Sequence, residues 1–546
     1  MIFIISTCTN LNYRTKILSF VCTLGVQLLA AQSPVTWSAP TKVDKSTELD
    51  EIAFADKDGA VLWRYDLSGL GVLRMTSLEA YNMSLERVVQ TELPSEYQGN
   101  QVAGIRVVRL GKVPYLLMAG KMDENLSLMA WALDRNTLHP IGIPIRLFSL
   151  DLTYSKQTLR NIRHIYTADH RVREKMGEVQ NFNGNYLQCA FNEDSTEVAI
   201  AYINSDQVLQ IHVFDQSWKS RWKNSLTFKE PRKHIRYNEQ AIVYHKGMVS
   251  MSYALIMTKE QRKEKGEVAQ GANVDLSYVY HALSMRDEGK TVQDIVIDFG
   301  LDTLINSLQV LPQSDGTVRC IGTFTLKNKG PASNPANPLN RDMPPIAGLF
   351  QIRLSSEGVV IEGPHKALLI PLLLQNKASF SKISKIDYEQ NEELLGFRPD
   401  RTISYENGSA IVIYQSVIIL NELRKGGDRS YNDLVVVRFA PDGHPVWANV
   451  IPKRQATSQW HFLACGSYGL VQDKELLHFI YMDDASPDGK LQLSTLNAQG
   501  KVIATRQLIE PRSDIPPMPR LGIASGTNFL VPAERDNQFK LGWIKL

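Results

Sequence analysis

The sequence predicts an all-β protein, and three observations predict it. Short stretches alternate apolar with polar residues, the period of a strand that keeps one face in a core. Polar turns built on Gly, Asp and Asn separate these stretches. The same strand, turn, strand texture then returns along the chain at long intervals. Residues 435–452, "VVVRFAPDGHPVWANVIP", show it most clearly: alternation, a turn at Pro441-Asp442-Gly443, and alternation again. At 546 residues the chain has room for three or four ordinary domains or for one large closed β architecture. Its 43% hydrophobic and 21% charged residues allow a large core. A formal charge of +3 argues against a dedicated nucleic-acid binder working by general electrostatics and leaves room for local basic patches.

The first segment reads as an export signal. Arg14 and Lys16 precede an apolar run, residues 17–31, that ends in Ala30-Ala31 before the polar "QSP". A membrane anchor needs about 20 apolar residues, and this run is shorter and contains Ser19, Thr23 and Gln27. Cleavage near Ala31 removes two positive charges, leaving +1 from +3, and takes Cys8 and Cys22 with it. The expected product is exported (periplasmic, secreted or surface-associated), has no lipid-attachment cysteine and no membrane-spanning segment, and comprises residues 32–546 as one domain. Cys189, Cys320 and Cys465 remain, too widely spaced for a disulfide framework or a zinc site, and are expected as buried thiols in strands.

The repeated texture begins at residues 126, 208, 276, 347, 435 and 490. The apolar residue before each turn (Leu133, Phe214, Leu283, Leu354, Phe439, Leu496) gives intervals of 81, 69, 71, 85 and 57 residues. That spacing is too long for a hairpin meander and suits a four-stranded unit with variable loops, a propeller blade. Later copies are each preceded by two further strands: "NSLQVLP" and "TVRCIGTF", "RTISYENG" and "AIVIYQSVII", "WHFLACGSYGL" and "LLHFIYMDD". A degenerate copy occupies residues 50–93, and the chain ends on three strands with no fourth. The N-terminal "TWSAPTKVD", residues 36–44, is free to supply the missing outer strand and remove the sheet edge. The expectation is therefore a β-propeller of eight blades closed by its N-terminal strand, or seven if residues 50–93 are not a blade.

On these units the chain resembles bacterial exported β-propellers in general, across residues 36–546, with no specific family indicated. "FDQSWKSRWKNSL" and "FAPDGHPVWANV" resemble the outer strands of quinoprotein-type repeats, in which a turn glycine precedes a tryptophan that packs between blades. The resemblance implies that role for Trp222 and Trp447, although the first unit lacks the glycine. It is not sufficient to imply a quinone, and no cofactor is expected.

In an antiparallel blade the connection between second and third strands and the connection to the next blade share one face. Nearly every long insertion falls there: residues 151–185, 257–275, 327–346, 373–398, 421–432 and 482–489. Long loops on one side of a rigid ring are the usual carriers of function. Residues 151–182 are the most distinctive, with Lys156, Arg160, Arg163, His164, His170, Arg171, Arg173 and Lys175 against Asp151, Asp169, Glu174 and Glu178, and with Tyr154, Tyr166 and Phe182 interleaved. That mixture suits an anionic sugar, a phosphate or an acidic protein surface. Arg160, Arg163, Tyr166, Arg171 and Arg173 are the candidate binding residues, and the expected partner is an envelope or extracellular protein or a glycan.

Catalytic and metal patterns are mostly missing. His164 and His170 are wrongly spaced for one helical face, and no metal is expected. "DASPDG", residues 484–489, resembles the start of a calcium loop, but Thr495 stands where the bidentate Glu belongs. There is no Gly-x-Ser-x-Gly elbow, "SFSK" at 379–382 lacks companion motifs, and no Ser-x-Asp-x-Gly-x-x-Trp turn occurs. A binding or scaffold module is the first reading; a polysaccharide-active hydrolase or lyase, with carboxylates at the central channel, is the alternative.

Overall fold

The computed structural model describes residues 35–66, 74–153, 155, 186–203, 208–230, 235–256, 278–299, 303–326, 346–375, 397–421, 428–453, 455–457, 467–484, 489–508 and 515–546. The chain enters with β1 (Val35–Trp37) and β2 (Thr41–Lys42), both held for the last blade. Blade 1 is β3 (Thr47–Asp56), β4 (Gly59–Asp66), β5 (Arg74–Tyr81) and β6 (Arg87–Glu92). After the short β7 (Glu96–Tyr97), blade 2 is β8 (Asn100–Leu110), β9 (Val113–Met122), β10 (Asn125–Ala132) and β11 (Ile145–Thr153). Blade 3 is β12 (Tyr186–Phe191), β13 (Glu197–Ile203), β14 (Val208–Asp215) and β15 (Ser220–Thr227). Blade 4 is β16 (Ile235–His245), β17 (Met248–Ile256), β18 (Tyr278–Arg286) and β19 (Thr291–Ile297). Blade 5 is β20 (Thr303–Pro312), β21 (Val318–Leu326), β22 (Gly348–Leu354) and β23 (Val360–Leu368), followed by a short helix, α1 (Leu369–Leu374). Blade 6 is β24 (Phe397–Ser404), β25 (Ala410–Asn421), β26 (Asp428–Phe439) and β27 (Pro445–Ile451), with β28 (Gln455–Thr457) paired to β26. Blade 7 is β29 (Gly469–Asp473), β30 (Leu476–Met482), β31 (Leu491–Leu496) and β32 (Val502–Gln507).

Blade 8 is β33 (Ile523–Ser525), β34 (Asn528–Arg535) and β35 (Gln538–Lys545), and its fourth strand is β1, with Val35 opposite Ile544 and Trp37 opposite Gly542. The N-terminal strand therefore closes the ring, and residues 47–92 form a true first blade, which fixes the count at eight. First strands of successive blades lie against one another, β3 on β8, β12 on β16, β16 on β20, β20 on β24, β29 on β33 and β33 on β3, so they form the inner wall.

The second and third strands are buried on both faces, because each blade is sandwiched between two others. β17, "MVSMSYALI", and β21, "VRCIGTFTL", are buried along nearly their whole length, their polar Ser250, Ser252, Arg319 and Thr323 included. The outer strands keep the period of two; β19, "TVQDIVI", exposes every second residue. Core clusters accordingly straddle blade junctions: Ile200, Tyr202 and Phe214 of blade 3 pack with Leu117, Leu128 and Phe148 of blade 2. Each fully buried Leu, Ile or Phe contributes about 1.5–3 kcal/mol.

Both tryptophans pack between blades, and the glycine each needs comes from the next blade. Trp447 lies on the turn after β31, where Gly500 has φ +72° and an added Cβ would sit 2.3 Å from the indole. Trp222 lies likewise on Gly289, φ +80°, where a Cβ would approach to 2.8 Å. The indole N–H of Trp447 donates to the Ala498 carbonyl at 2.9 Å, and Asn449 and Asn224 each donate to the carbonyl of the glycine that their neighbouring tryptophan covers. A glycine in the tryptophan's own turn is thus not required, which explains its absence beside Trp222.

One expectation shifts. Blade 4's third strand runs on past Leu283 to Arg286. Residues 460–466 of "WHFLACGSYGL" lie outside the described residues, and β29 begins at Gly469, just after Ser467 at φ +69°. Cys320 is fully buried in β21, where burial pushes its thiol up to about 12; Cys189 is half-buried in β12, and Cys465 lies outside the described residues. Among the described residues no helix is long and apolar enough to cross a membrane.

Candidate functional site

Arg160, Arg163, Tyr166, Arg171 and Arg173 lie outside the described residues, as do His164 and His170. The strands that flank them are described. The connection leaves from β11, whose Thr153 still pairs with Asn125, and enters β12. The Tyr202 hydroxyl donates to the Leu150 carbonyl at 2.5 Å and ties blade 3 to that exit point. The order of the strands puts the end of β11 on the same face of the ring as the ends of β17 and β21.

The described part of this long-loop face is richest at blades 6 and 7. Blade 6 lengthens its central hairpin beyond the ring: Ile418 pairs with Ser430 and Asn421 with Asp428, and β28 adds a third strand through Arg429 opposite Thr457. Beneath this platform, side chains from both blades form a buried polar chain. The Lys453 ammonium donates to Gln455 Oε1 at 2.8 Å, and the Ser467 backbone N–H donates to the same oxygen at 2.8 Å. Gln455 Nε2 donates to the Met482 carbonyl at 2.5 Å, and Ser467 Oγ donates to Gln415 Oε1 at 2.8 Å. Gln415 Nε2 is buried without a partner.

Burial drives the Lys453 pKa well below the ordinary lysine value, against the opposing pull of Asp400 and Asp433. Burial likewise drives Tyr468 well above the ordinary phenol range, and its hydroxyl donates to Asp400 Oδ2 at 2.7 Å. Arg401 lies over the Tyr468 ring, 5.3 Å from its centroid. Chemically this is a brace: it fixes where the connection between β27 and β29 leaves blade 6 and where it re-enters blade 7.

Carboxylates meet cations at several places among the described residues, Asp400 and Asp433 both pulling on the Lys453 ammonium. On the inner strands Glu51 pairs with Arg106 at 3.1 Å and Asp400 with Arg401 at 3.9 Å. Two carboxylates do meet one arginine at Arg64, but that guanidinium is 1% exposed. They meet again at Arg353, between Asp315 and Glu362, on the third strand of blade 5 and away from the inner wall. Among the described residues no group of three or more His, Cys, Asp and Glu side chains could hold a metal ion.

One constellation escaped the sequence reading. In blade 4, Asp294 accepts the Tyr253 hydroxyl at 2.5 Å and approaches His281 Nδ1 at 3.0 Å, with the Tyr253 and His281 rings stacked 4.6 Å apart. The three residues sit on three adjacent strands, and only strand register brings them together. Their sequence spacing carries no signal.

No family model matches this chain, and no curated protein matches it. Solved structures do. A chimera of apocarotenoid oxygenase (ACO) and RPE65 is 10% identical over 90% of this chain and 94% of its own, with a TM-score of 0.36. The β-propeller domain of the Trilobed protease from Pyrococcus furiosus, described as having an open velcro topology, is 9% identical over 86% of this chain and 98% of its own, with a TM-score of 0.33. A protein of unknown function from Bacteroides caccae is 10% identical over 69% of this chain and 90% of its own, with a TM-score of 0.26. The strand pairing itself defines the class: an all-β, eight-bladed propeller whose N-terminal strand completes the last blade. Such a fold supports a scaffold or binding module in general.

Proposed function

We propose that the protein is an exported binding module that takes an envelope protein or a glycan on its long-loop face, with Arg160, Arg163, Tyr166, Arg171 and Arg173 as contact residues. The observation that carries this reading is the one-sided distribution of length. The connections at residues 154–185, 257–277, 327–347, 375–396 and 452–468 all fall between second and third strands or between blades, while turns such as 355–359 and 440–444 stay short. A rigid ring that spends its insertions on one side presents them as a surface. Arginine forks with interleaved aromatic rings suit acidic groups and sugar faces. Export is supported by position: cleavage after Ala31 would leave β1, which begins at Val35, intact for closure.

The test replaces residues 156–182 by a Gly/Ser linker, sparing β11, and compares this variant with the parent in pull-downs from envelope extracts and on a glycan array. A partner or glycan held by the parent and lost by the variant is the expected result. Equal capture by both would remove the contact assignment. N-terminal sequencing of the protein recovered from its host checks export, with Gln32 as the expected first residue.

A further inference from the structure

The opposite face, where most turns are short, carries an arrangement that ordinary ring assembly does not use up. Most arginines of the described residues are consumed structurally. Arg319 donates to the Ala440 and Pro441 carbonyls of the next blade, and Arg438 to the Ala498 carbonyl, so both pin neighbouring turns. Arg64 and Arg87 are matched by Glu79 and Glu534, and Arg353 by Asp315 and Glu362. Arg109 and Arg135 differ. Arg109 Nη1 donates to Asp56 Oδ2 at 2.9 Å and Arg135 Nη2 to Asp56 Oδ1 at 2.7 Å, so two guanidiniums share one carboxylate.

Their placement is fixed by packing as well as charge. Both guanidiniums lie over the Phe54 ring, 5.5 Å and 4.8 Å from its centroid, and Phe54 itself is buried at 5% exposure. Asp56 closes β3 and also accepts the Asp58 backbone N–H at 2.9 Å, which locks the carboxylate in its turn. Arg109 comes from the end of β8 and Arg135 from the connection between β10 and β11, so the group spans the junction of blades 1 and 2. The neighbouring acid Asp134 is occupied by its own turn, taking the N–H groups of Asn136 and Thr137. Lys57 and Lys112 stand exposed in the adjoining turns.

We infer that Arg109 and Arg135 form an oxyanion-binding clamp for a ligand bearing a carboxylate, sulfate or phosphate group. Each guanidinium has five N–H donors in a planar fork and commits one of them to Asp56. The side chains are 34% and 29% exposed and make no other hydrogen bond or ion pair. Two preorganised forks with spare donors and one unmatched positive charge fit a bidentate acceptor, and the ordering cost of both side chains is already met in the free protein. This site is independent of the long-loop face.

Isothermal titration of the protein with inorganic phosphate, inorganic sulfate and trigalacturonate tests it and separates the three sources of the oxyanion. Saturable binding of at least one probe is expected. The double variant Arg109→Ala/Arg135→Ala should weaken it about tenfold or more, and Asp56→Asn, which removes the competing carboxylate, should tighten it. Arg135→Lys keeps the charge and loses the fork, so it should weaken binding even if the double variant does not fold. The long-loop variant should bind the probe as the parent does. Absence of saturable binding by all three probes, or unchanged affinity in Arg135→Lys or in a folded double variant, would overturn the clamp.

Discussion

Arg64 and Lys453 are both buried in this ring, and they respond to burial in opposite ways. At Arg64, where blade 8 meets blade 1, burial works against the charge, but the pull of Glu534 and Glu79 outweighs it and the pKa moves up. At Lys453, between blades 6 and 7, burial wins over Asp400 and Asp433 and the pKa moves down. Contact geometry separates them. Arg64 bonds Glu79 at 3.1 Å and Glu534 at 3.0 Å, with Phe539 4.8 Å from its centre, while Lys453 bonds a neutral amide, Gln455. At Arg64 the two bonded carboxylates restore more than desolvation removes, whereas at Lys453 the pull of Asp400 and Asp433 is the smaller effect.

The contrast follows from what each junction must do. Blades 6 and 7 are consecutive in the chain, and Trp447 on Gly500 already sets their register. Blades 8 and 1 come from opposite ends of the chain, with Arg64 and Glu534 separated by 470 residues, and their pairing is held by β1, by a charge network and by an apolar cluster. That cluster runs without a break from Leu493 of blade 7 through Phe529 of blade 8 to Leu62 of blade 1.

The sharpest way to break this comparison is at the seam. Glu79→Gln leaves Arg64 buried with Glu534 as its remaining acid partner and should cost about 3–5 kcal/mol in denaturant unfolding, the range for breaking a buried pair. Replacing both partners, Arg64→Met with Glu79→Leu, should recover most of that loss. If the single variant loses less than about 1 kcal/mol, below the range for hydrogen bonds to charged groups, the seam is held by β1 and the apolar cluster without the charge network.

Blade 6 tests the tryptophan device. Trp447→Ala should cost about 2–3 kcal/mol, less than a fully buried tryptophan because the ring is only partly covered. Gly500→Ala should cost about 1–3 kcal/mol, since it puts a Cβ both at positive φ and into the indole. Equal stability of Gly500→Ala and the parent, measured by thermal unfolding, would mean that the turn moves away from the indole at no cost.

Much of this was legible before the structure, for a physical reason. Blade strands announce themselves locally, since alternation and turn chemistry are short-range properties, and the three unmatched terminal strands made closure by the N-terminus a matter of counting. The middle strands were legible as well: "TVRCIGTF" reads as a strand and is β21, although burial covers both of its faces. The positive φ at Ser467 was hidden, because at a serine it has no sequence mark. The Arg109–Asp56–Arg135 cluster was invisible for another reason: Asp56 meets partners 53 and 79 residues away, and only blade register brings them together.

Lys453 gives the smallest effect and the cleanest sign. Its folded pKa lies below the unfolded value near 10.5, so between the two the unfolded chain binds more protons than the folded one. Stability therefore rises with pH through that window, and the penalty is largest below the folded value, where both states are charged. Lys453→Met keeps the length of the side chain, and Gln455 Oε1 keeps its bond from the Ser467 N–H. It should leave stability at pH 7 unchanged or raise it by about 1 kcal/mol, and it should flatten the rise with pH. Unfolding curves collected in steps from neutral pH to about pH 10 measure that slope. A parent whose stability falls across this range, with a slope that Lys453→Met abolishes, would mean that Asp400 and Asp433 hold the ammonium more tightly than burial opposes it. The blade 6–7 cation would then belong with Arg64.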